Sequence, residues 1–306
     1  MKTALTCALL AALLALSCAR PGAQPGTRTI GVALLTRGHI FYKDLEEGFR
    51  TQAQEDHFAL VVTSAEFDLG KQIGQIEDFV ARKVDAIIVC PVDSKGIGPG
   101  VRKANAAGIP VFTADIAAQE GTVVCHIASD NVAGGRLAGE YMAKALGGKG
   151  KIAIINNPVA TSVLDRVQGF REAIARYPGI AVVADVSGEA VRDKSLQATT
   201  DVLQGNPHLD GIFGINDASA LGALDAVQQF KRTGITIVGY DATGPAADAI
   251  THGTALKADV IQYPKKIGTT TIDMIRDYFA GRTVPPVVPI AVGIADSAYF
   301  IANPAQ

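Results

Sequence analysis

GIFGINDASALGALDAV, residues 211–227, changes its hydrophobic period halfway along. Ile212 to Ile215 form a short apolar run that reads as a buried strand stopping at Asn216-Asp217. Ala218 to Val227 read as a helix, with Asp217 placed to cap its N-terminus. Asn216 therefore sits where a strand hands over to a helix. In open α/β sheets that edge is where small ligands bind, because the loops there part to leave a crevice. Several other strands of the chain also end in a polar residue suited to hydroxyl recognition. The pattern points to a binder of a small polar molecule.

Outward from this stretch, strands and helices alternate almost throughout. Thr29 to Leu35, Ala59 to Thr63, Ala86 to Cys90, Pro110 to Thr113 and Val123 to Ile127 read as strands. They are short, apolar and β-branched, as strands buried on both faces are. Helices are expected near Phe41 to Glu55, Lys71 to Lys83 and Gly96 to Ala107, the last ended by Gly108 as its C′ residue. The pattern then restarts. Lys151 to Ile155, Ala181 to Val186, Gly211 to Ile215, Thr236 to Tyr240 and Ala255 to Ile261 read as strands. Helices lie between them near Asn131 to Leu146, Ser162 to Tyr177, Lys194 to Gln204, Ser219 to Phe230 and Gly244 to His252. Two βα series of similar length imply an α/β protein of two doubly wound parallel-sheet lobes with right-handed crossovers. The junction Ala128-Ser129-Asp130-Asn131 is tight, so short hinge strands are expected to couple the lobes. A helix from Pro264 to Phe279 and a last strand, Val287 to Val292, follow and could return to the first lobe.

The first 18 residues stand apart from this alternation. Lys2 supplies a positive start, and Ala4 to Leu16 form an almost wholly apolar run of 13 residues. Such a run suits a signal peptide and is too short to span a bilayer. It ends at Ala15-Leu16-Ser17-Cys18, which resembles the bacterial lipoprotein signal with Cys18 as the lipidated residue. Ordinary cleavage near Ala19 or Ala23 is the alternative. Residues 19–28, rich in Pro and Gly, read as a flexible tether. Export to the periplasm or cell envelope is expected either way. A net charge of −2 gives no electrostatic case for nucleic acid. Beyond the leader only Cys90 and Cys125 remain, which excludes a disulfide framework and suggests buried free thiols.

Taken in order, FYKDLEEGF (41–49), VDAIIVCPVDS (84–94), AAGIPVFTAD (106–115), VVCHIASDNVAGG (123–135), NDASALGALDAV (216–227), IVGYDAT (237–243) and IQYPKKIG (261–268) resemble the ribose-binding-protein-like solute-binding proteins. The effector domains of lactose-repressor-type regulators share those lobes. The resemblance runs from Thr29 to the C-terminus. It implies a type I periplasmic binding protein with a three-segment hinge, crossing near Ser129, Gln262 and Ala291. The N-terminal lobe would be 29–129 plus 263–291, and the C-terminal lobe 130–262 plus 292–306. It further implies a monosaccharide or polyol trapped between closing lobes, delivery to an ABC permease in the inner membrane, a monomeric receptor, and neither cofactor nor catalysis.

A sugar offers vicinal hydroxyls and an apolar C–H face. Carboxylates and amides meet the hydroxyls, and a flat aromatic covers the face. The resemblance assigns stacking to Phe41 and Tyr42 and hydroxyl binding to Asp115, Arg166, Asn216, Asp241 and Gln262. His39 is a further hydroxyl donor or a solvated loop residue, and alone it gives no metal site. Each has a structural alternative: core packing for the aromatics, turns for the aspartates, a surface salt bridge for Arg166, a helix cap for Asn216 and a backbone bond for Gln262. The chain also departs from the ribose-type pattern. Leu35, His39 and Ile116 stand where Ser, Asn and Arg are usual, and an aromatic expected near Ala190 is missing. Losing the arginine at Ile116 removes a charge and up to five donors, which argues against ribose held in the usual way.

Other functions fit less well. A sugar-responsive regulator needs a helix-turn-helix before the first strand, where the leader lies. A glycosidase using Asp115 and Asp241 needs a carboxyl of raised pKa, whereas Arg166 is expected to keep both ionised. No nucleophile elbow, HExxH or Walker A pattern is present, and Gly147-Gly148-Lys149-Gly150 lacks the phosphate-loop spacing. A receptor for a furanosyl autoinducer remains open within the same fold. Asp44, Glu46 and Glu47 fit either a permease-facing patch or an ordinary solvated helix face.

Overall fold

A computed structural model describes residues 26–303. The expected signal peptide, Cys18 and the tether before residue 26 lie outside them. The first series runs β1 (Thr29–Leu34), α1 (Ile40–Glu55), β2 (Ala59–Ser64), α2 (Leu69–Ala81), β3 (Ala86–Val89), α3 (Gly98–Ala106), β4 (Val111–Ala114) and β5 (Cys125–Ser129). The second runs α4 (Asn131–Ala145), β6 (Lys149–Asn156), α5 (Thr161–Ile174), β7 (Gly179–Ser187), α6 (Arg192–Gly205), β8 (Gly211–Gly214), α7 (Asp217–Gln229), β9 (Thr236–Asp241), α8 (Gly244–Thr251) and β10 (Leu256–Ile261). The chain ends with α9 (Pro264–Phe279), β11 (Val287–Ile290), β12 (Gly293–Asp296) and α10 (Ser297–Ala302).

These elements build two α/β lobes, each on a six-stranded sheet. One sheet has the order β11-β5-β4-β3-β1-β2 and is parallel throughout. The other has the order β12-β10-β9-β8-β6-β7, parallel except for β12 against β10. The chain therefore passes between the sheets after β5, after β10 and after β11.

Local chemistry explains the elements. Ile30 to Leu34, and all of β3 and β4, are buried, as helices covering both faces of a parallel sheet require. Asp68 and Asp130 cap α2 and α4 through their side chains. Gly108 takes φ of +74° just past α3, a left-handed position that glycine adopts without strain. Glycines also set the closest helix contacts. A Cβ on Gly169 of α5 would collide with the Val132 carbonyl of α4, and one on Gly48 of α1 with the Lys265 carbonyl of α9. Only the bare backbone allows α5 to lie this close to α4, and α5 carries Arg166.

Three expectations need correction. The last strand ends at Ile290 rather than Val292, and the chain then forms β12 and α10, for which no expectation existed. Those elements are short, and α10 buries no residue, so neither carries a strong period. The strand expected from Val123 starts at Cys125. Asp217 does not cap α7. Asn216 does, through its side-chain oxygen on the Ser219 N–H at 2.8 Å. Cys90 and Cys125 are free and buried.

Candidate functional site

The carboxyl ends of both sheets face one cavity of about 340 Å³, within the range of small-molecule sites. All eight residues singled out from the sequence line it. His39, Phe41, Tyr42 and Asp115 come from the first lobe, Arg166, Asn216 and Asp241 from the second, and Gln262 from the crossing after β10.

Asp115 follows β4 at φ of +68° and is 5 % exposed. The Tyr42 hydroxyl donates to its Oδ2 at 2.6 Å. Tyr42 is thus a buried partner of Asp115, and Phe41 meets its ring edge-on at 5.3 Å between centroids. Asp241 ends β9 at φ of +109°. Gln262 Nε2 donates to Asp241 Oδ1 at 2.6 Å, while Gln262 Oε1 accepts from the Ser129 hydroxyl at 2.6 Å. Gln262 therefore joins side chains at two crossings rather than bonding backbone.

Arg166 is no surface salt bridge. It is 5 % exposed, and its Nε donates to Asn131 Oδ1 and its Nη1 to the Ile215 carbonyl, each at 2.8 Å. Its guanidinium lies 3.9 Å from the Tyr240 ring centroid, a cation–π contact. Asp241 Oδ1 is 3.9 Å from Nη1. Asn216, besides capping α7, donates from Nδ2 to the Ala190 carbonyl at 3.3 Å. Among the described residues, Asp115 Oδ1, Asp241 Oδ2 and Arg166 Nη2 make no hydrogen bond. Two carboxyl oxygens and one guanidinium donor therefore remain for hydroxyl groups.

Electrostatics overturn one expectation. Burial pushes the Asp115 carboxyl up, against Arg166 and the Tyr42 bond. Burial first, then Asp217, pushes Asp241 up to about 8 despite Arg166. Desolvation wins because one guanidinium, itself shared with Asn131 and a carbonyl, serves several buried carboxyls. Beneath the Asp241 turn, the buried carboxyls of Asp217 and Asp259 face each other, and burial and Asp217 hold Asp259 well above the usual range. Two such groups oppose each other's ionisation. Asp217 Oδ2 accepts from the Thr243 N–H at 2.8 Å and from the Thr243 hydroxyl. That fixes the turn in which Asp241 and Ala242 both have positive φ. His39 is lowered by burial and packs edge-on against Phe67 at 5.7 Å.

Phe67 was missed by sequence reasoning, as were Val92, Val159 and Ala160, which also line the cavity. Phe67 lies in a turn at φ of +65°, where no period marks it. Its position just after β2, at the carboxyl edge of its sheet, was the available signal. Of the acids considered for docking, Glu46 is held by Arg37 and Arg50, and Glu47 by Lys265.

The lobes also bond directly across the cleft mouth. Ser94 N–H donates to the Val159 carbonyl at 3.0 Å, Thr161 N–H to Ser94 Oγ at 3.0 Å, and Ala117 N–H to Thr161 Oγ1 at 3.0 Å. The structure is therefore a closed arrangement. Thr161→Val, which removes the hydroxyl from this latch, is expected to weaken ligand binding about ten-fold. Stopped-flow kinetics should assign the loss to faster dissociation.

Two doubly wound lobes, three crossings and a polar cavity between strand tips define a two-lobed α/β binding protein. The chain belongs to the family described as periplasmic binding protein domain, whose profile matches residues 30–283. A ribose import binding protein of Salmonella typhimurium is 32 % identical over 263 residues, covering 86 % of this chain and 88 % of the relative. A xylitol-binding protein of Mycolicibacterium smegmatis is 33 % identical over 233 residues, covering 76 % and 66 %. Among solved structures, an ABC transporter solute-binding protein of Mycobacterium smegmatis with bound glycerol aligns with a TM-score of 0.86 at 30 % identity, covering 92 % and 98 % of the two chains. Another, from Agrobacterium vitis with bound α-D-tagatopyranose, gives 0.85 at 28 % identity, covering 91 % and 97 %. The family is one of transporter substrate-binding proteins rather than enzymes.

Proposed function

We propose that this chain binds a monosaccharide or related polyol between its lobes and delivers it to an ABC permease. The observation that carries this reading is the convergence of Asp115 and Asp241, from the strand tips of different sheets, on one cavity. Each keeps an oxygen free there, and Arg166 keeps a donor between them. Asp115, Arg166, Asn216, Asp241 and Gln262 hold the hydroxyls, directly or by orienting one another. Phe41 and Phe67 supply ring surface for C–H faces, and His39 closes the rim. The N-terminal lobe is 29–129 with 263–291, the C-terminal lobe 130–262 with 292–306. Pairing of β11 with β5 and of β12 with β10 supports that division.

Outside the site, the reading is of an exported monomer, processed after the leader and anchored through a lipid on Cys18. Closure buries the ligand and gives the two lobe surfaces the relative position that the permease recognises. A small ligand held by several charge-assisted hydrogen bonds reaches a Kd on the order of micromolar or tighter.

A thermal-shift screen over pentoses, hexoses and polyols tests the reading. A ligand at about 100 times its Kd should raise Tm by roughly 5–10 °C. If no sugar or polyol moves Tm, the reading fails.

A further inference from the structure

The cavity is divided by chemistry. Among its charged and polar groups, Gln262 bonds Asp241, Arg166 approaches Asp241, and Tyr42 bonds Asp115, while Glu189 lines it from the second lobe. From the first lobe, Asp115 supplies the one charged group that lines the cavity. The same lobe also lines it with His39, Phe41 and Tyr42, and, from the tips after β1, β2, β3 and β4, with Leu35, Phe67, Val92 and Ile116.

Leu35, Phe67, Val92 and Ile116 all present apolar side chains to the cavity. Phe67 N–H bonds the Leu35 carbonyl at 3.2 Å, which sets the two side by side. The Ser94–Val159 bond brings the loop carrying Val92 against Val159, and the Ala117–Thr161 bond brings Ile116 against Ala160. Leu35, Phe41, Tyr42 and Ile116 share one buried apolar cluster with Ala160 and Val163 of the second lobe. None of the four wall side chains carries a hydrogen-bonding atom. A ligand hydroxyl turned toward them and away from His39, which packs against Phe67, would lose its water and gain no partner. A methyl or methylene in the same place would gain contact instead.

Resting on the sugar-binding reading above, we propose that the ligand is a deoxy sugar or deoxy polyol. It presents a methyl or methylene group to the Leu35–Phe67–Val92–Ile116 wall and its vicinal hydroxyls to Asp115, Arg166 and Asp241. The wall is the specificity-determining element, and the carboxylates and guanidinium are the anchor.

The test is calorimetric titration with matched pairs that differ by one hydroxyl. Suitable pairs are D-galactose and D-fucose, D-glucose and D-quinovose, L-mannose and L-rhamnose, and L-galactose and L-fucose, each of which keeps its pyranose ring. In the pair that binds, the deoxy member should be tighter by roughly ten-fold or more. Val92→Thr, close to isosteric, places a hydroxyl in the wall and should shrink that ratio several-fold. Ile116→Gln should shrink it further where the variant folds. If the fully hydroxylated member binds equally well or better, the deoxy assignment is overturned while the sugar reading stands. A ratio unchanged in Val92→Thr overturns the role of the wall. If neither member of any pair binds while the thermal-shift screen still finds a sugar or polyol ligand, the deoxy assignment is overturned and the sugar reading stands; if that screen is blank as well, both readings fall.

Discussion

Replacing Arg166 by leucine is expected to weaken ligand binding about a hundred-fold and to lower Tm by roughly 5 °C. The two effects have separate sources. Binding loses the Nη2 donor and the positive charge that attracts hydroxyl-bound carboxylates, and one charge-assisted hydrogen bond contributes about 1.5–3 kcal/mol. Stability falls because the Ile215 carbonyl loses its 2.8 Å donor in a buried site. Asn131 Oδ1 then keeps only the Tyr240 hydroxyl, at 3.3 Å. An unmet buried acceptor costs about 1–3 kcal/mol, which in a protein of this size is a Tm change of several degrees. Arg166→Lys should recover little of the binding. An ammonium cannot serve Asn131, Ile215 and a ligand in one plane. Titration calorimetry and thermal unfolding of both variants check this, and a leucine variant binding within a few-fold of the parent contradicts it.

Asp241→Asn separates binding from folding in the opposite sense. Asparagine keeps the Oδ1 acceptor for Gln262 but turns the free oxygen into a donor. Affinity should fall about 10- to 100-fold. Stability should not fall, because the parent carboxyl is itself held largely protonated in the empty protein, with a pKa near 8. With the folded value raised above the ordinary 3.8, the folded state binds more protons between those values. The carboxyl's contribution is fully present below pH 3.8 and is lost as pH rises through about 8. Burial raises Asp115, Asp217 and Asp259 in the same direction, so their contributions carry the same sign. Chemical denaturation at pH 5 and pH 8 should show the empty parent less stable at pH 8, with a smaller difference in Asp241→Asn. A ligand hydroxyl donating to Asp241 favours the ionised form. Binding near pH 7 should therefore release a proton, seen as a calorimetric enthalpy that depends on the buffer. A buffer-independent enthalpy would show that Asp241 keeps one protonation state on binding, which contradicts this.

Much of this site was legible in the sequence because its chemistry sits at predictable places. Asn216, Asp115 and Asp241 each end a short apolar strand, and the strand period alone puts each at the carboxyl edge of its own sheet. The chain's likeness to sugar-binding proteins then supplied the ligand role of Asp115 and Asp241, and both the role and the place of Arg166 and Gln262, which no period marks. Three things were not legible. Asn216 caps its own helix, because the cap depends on one residue's φ and ψ rather than on residue type. Asp217 instead pins the Asp241 turn across 26 residues of chain, a contact that only tertiary packing creates. The carboxyl protonation states were misjudged because desolvation depends on how completely the lobes close over the groups. Phe67 shows a fourth gap. It sits in a turn with the polar signature of a surface loop, and only the assembled cleft gives it a wall to complete.

The account is tested most directly by titrating the best ligand of the sugar screen into the parent protein, Asp115→Ala and Asp241→Ala. Opposite walls carry the two carboxyls, so a guest clamped between them must lose affinity when either is removed. Both variants should stay folded and bind at least about 30-fold more weakly. If one keeps the parent's affinity, the guest touches a single lobe and the clamp does not exist.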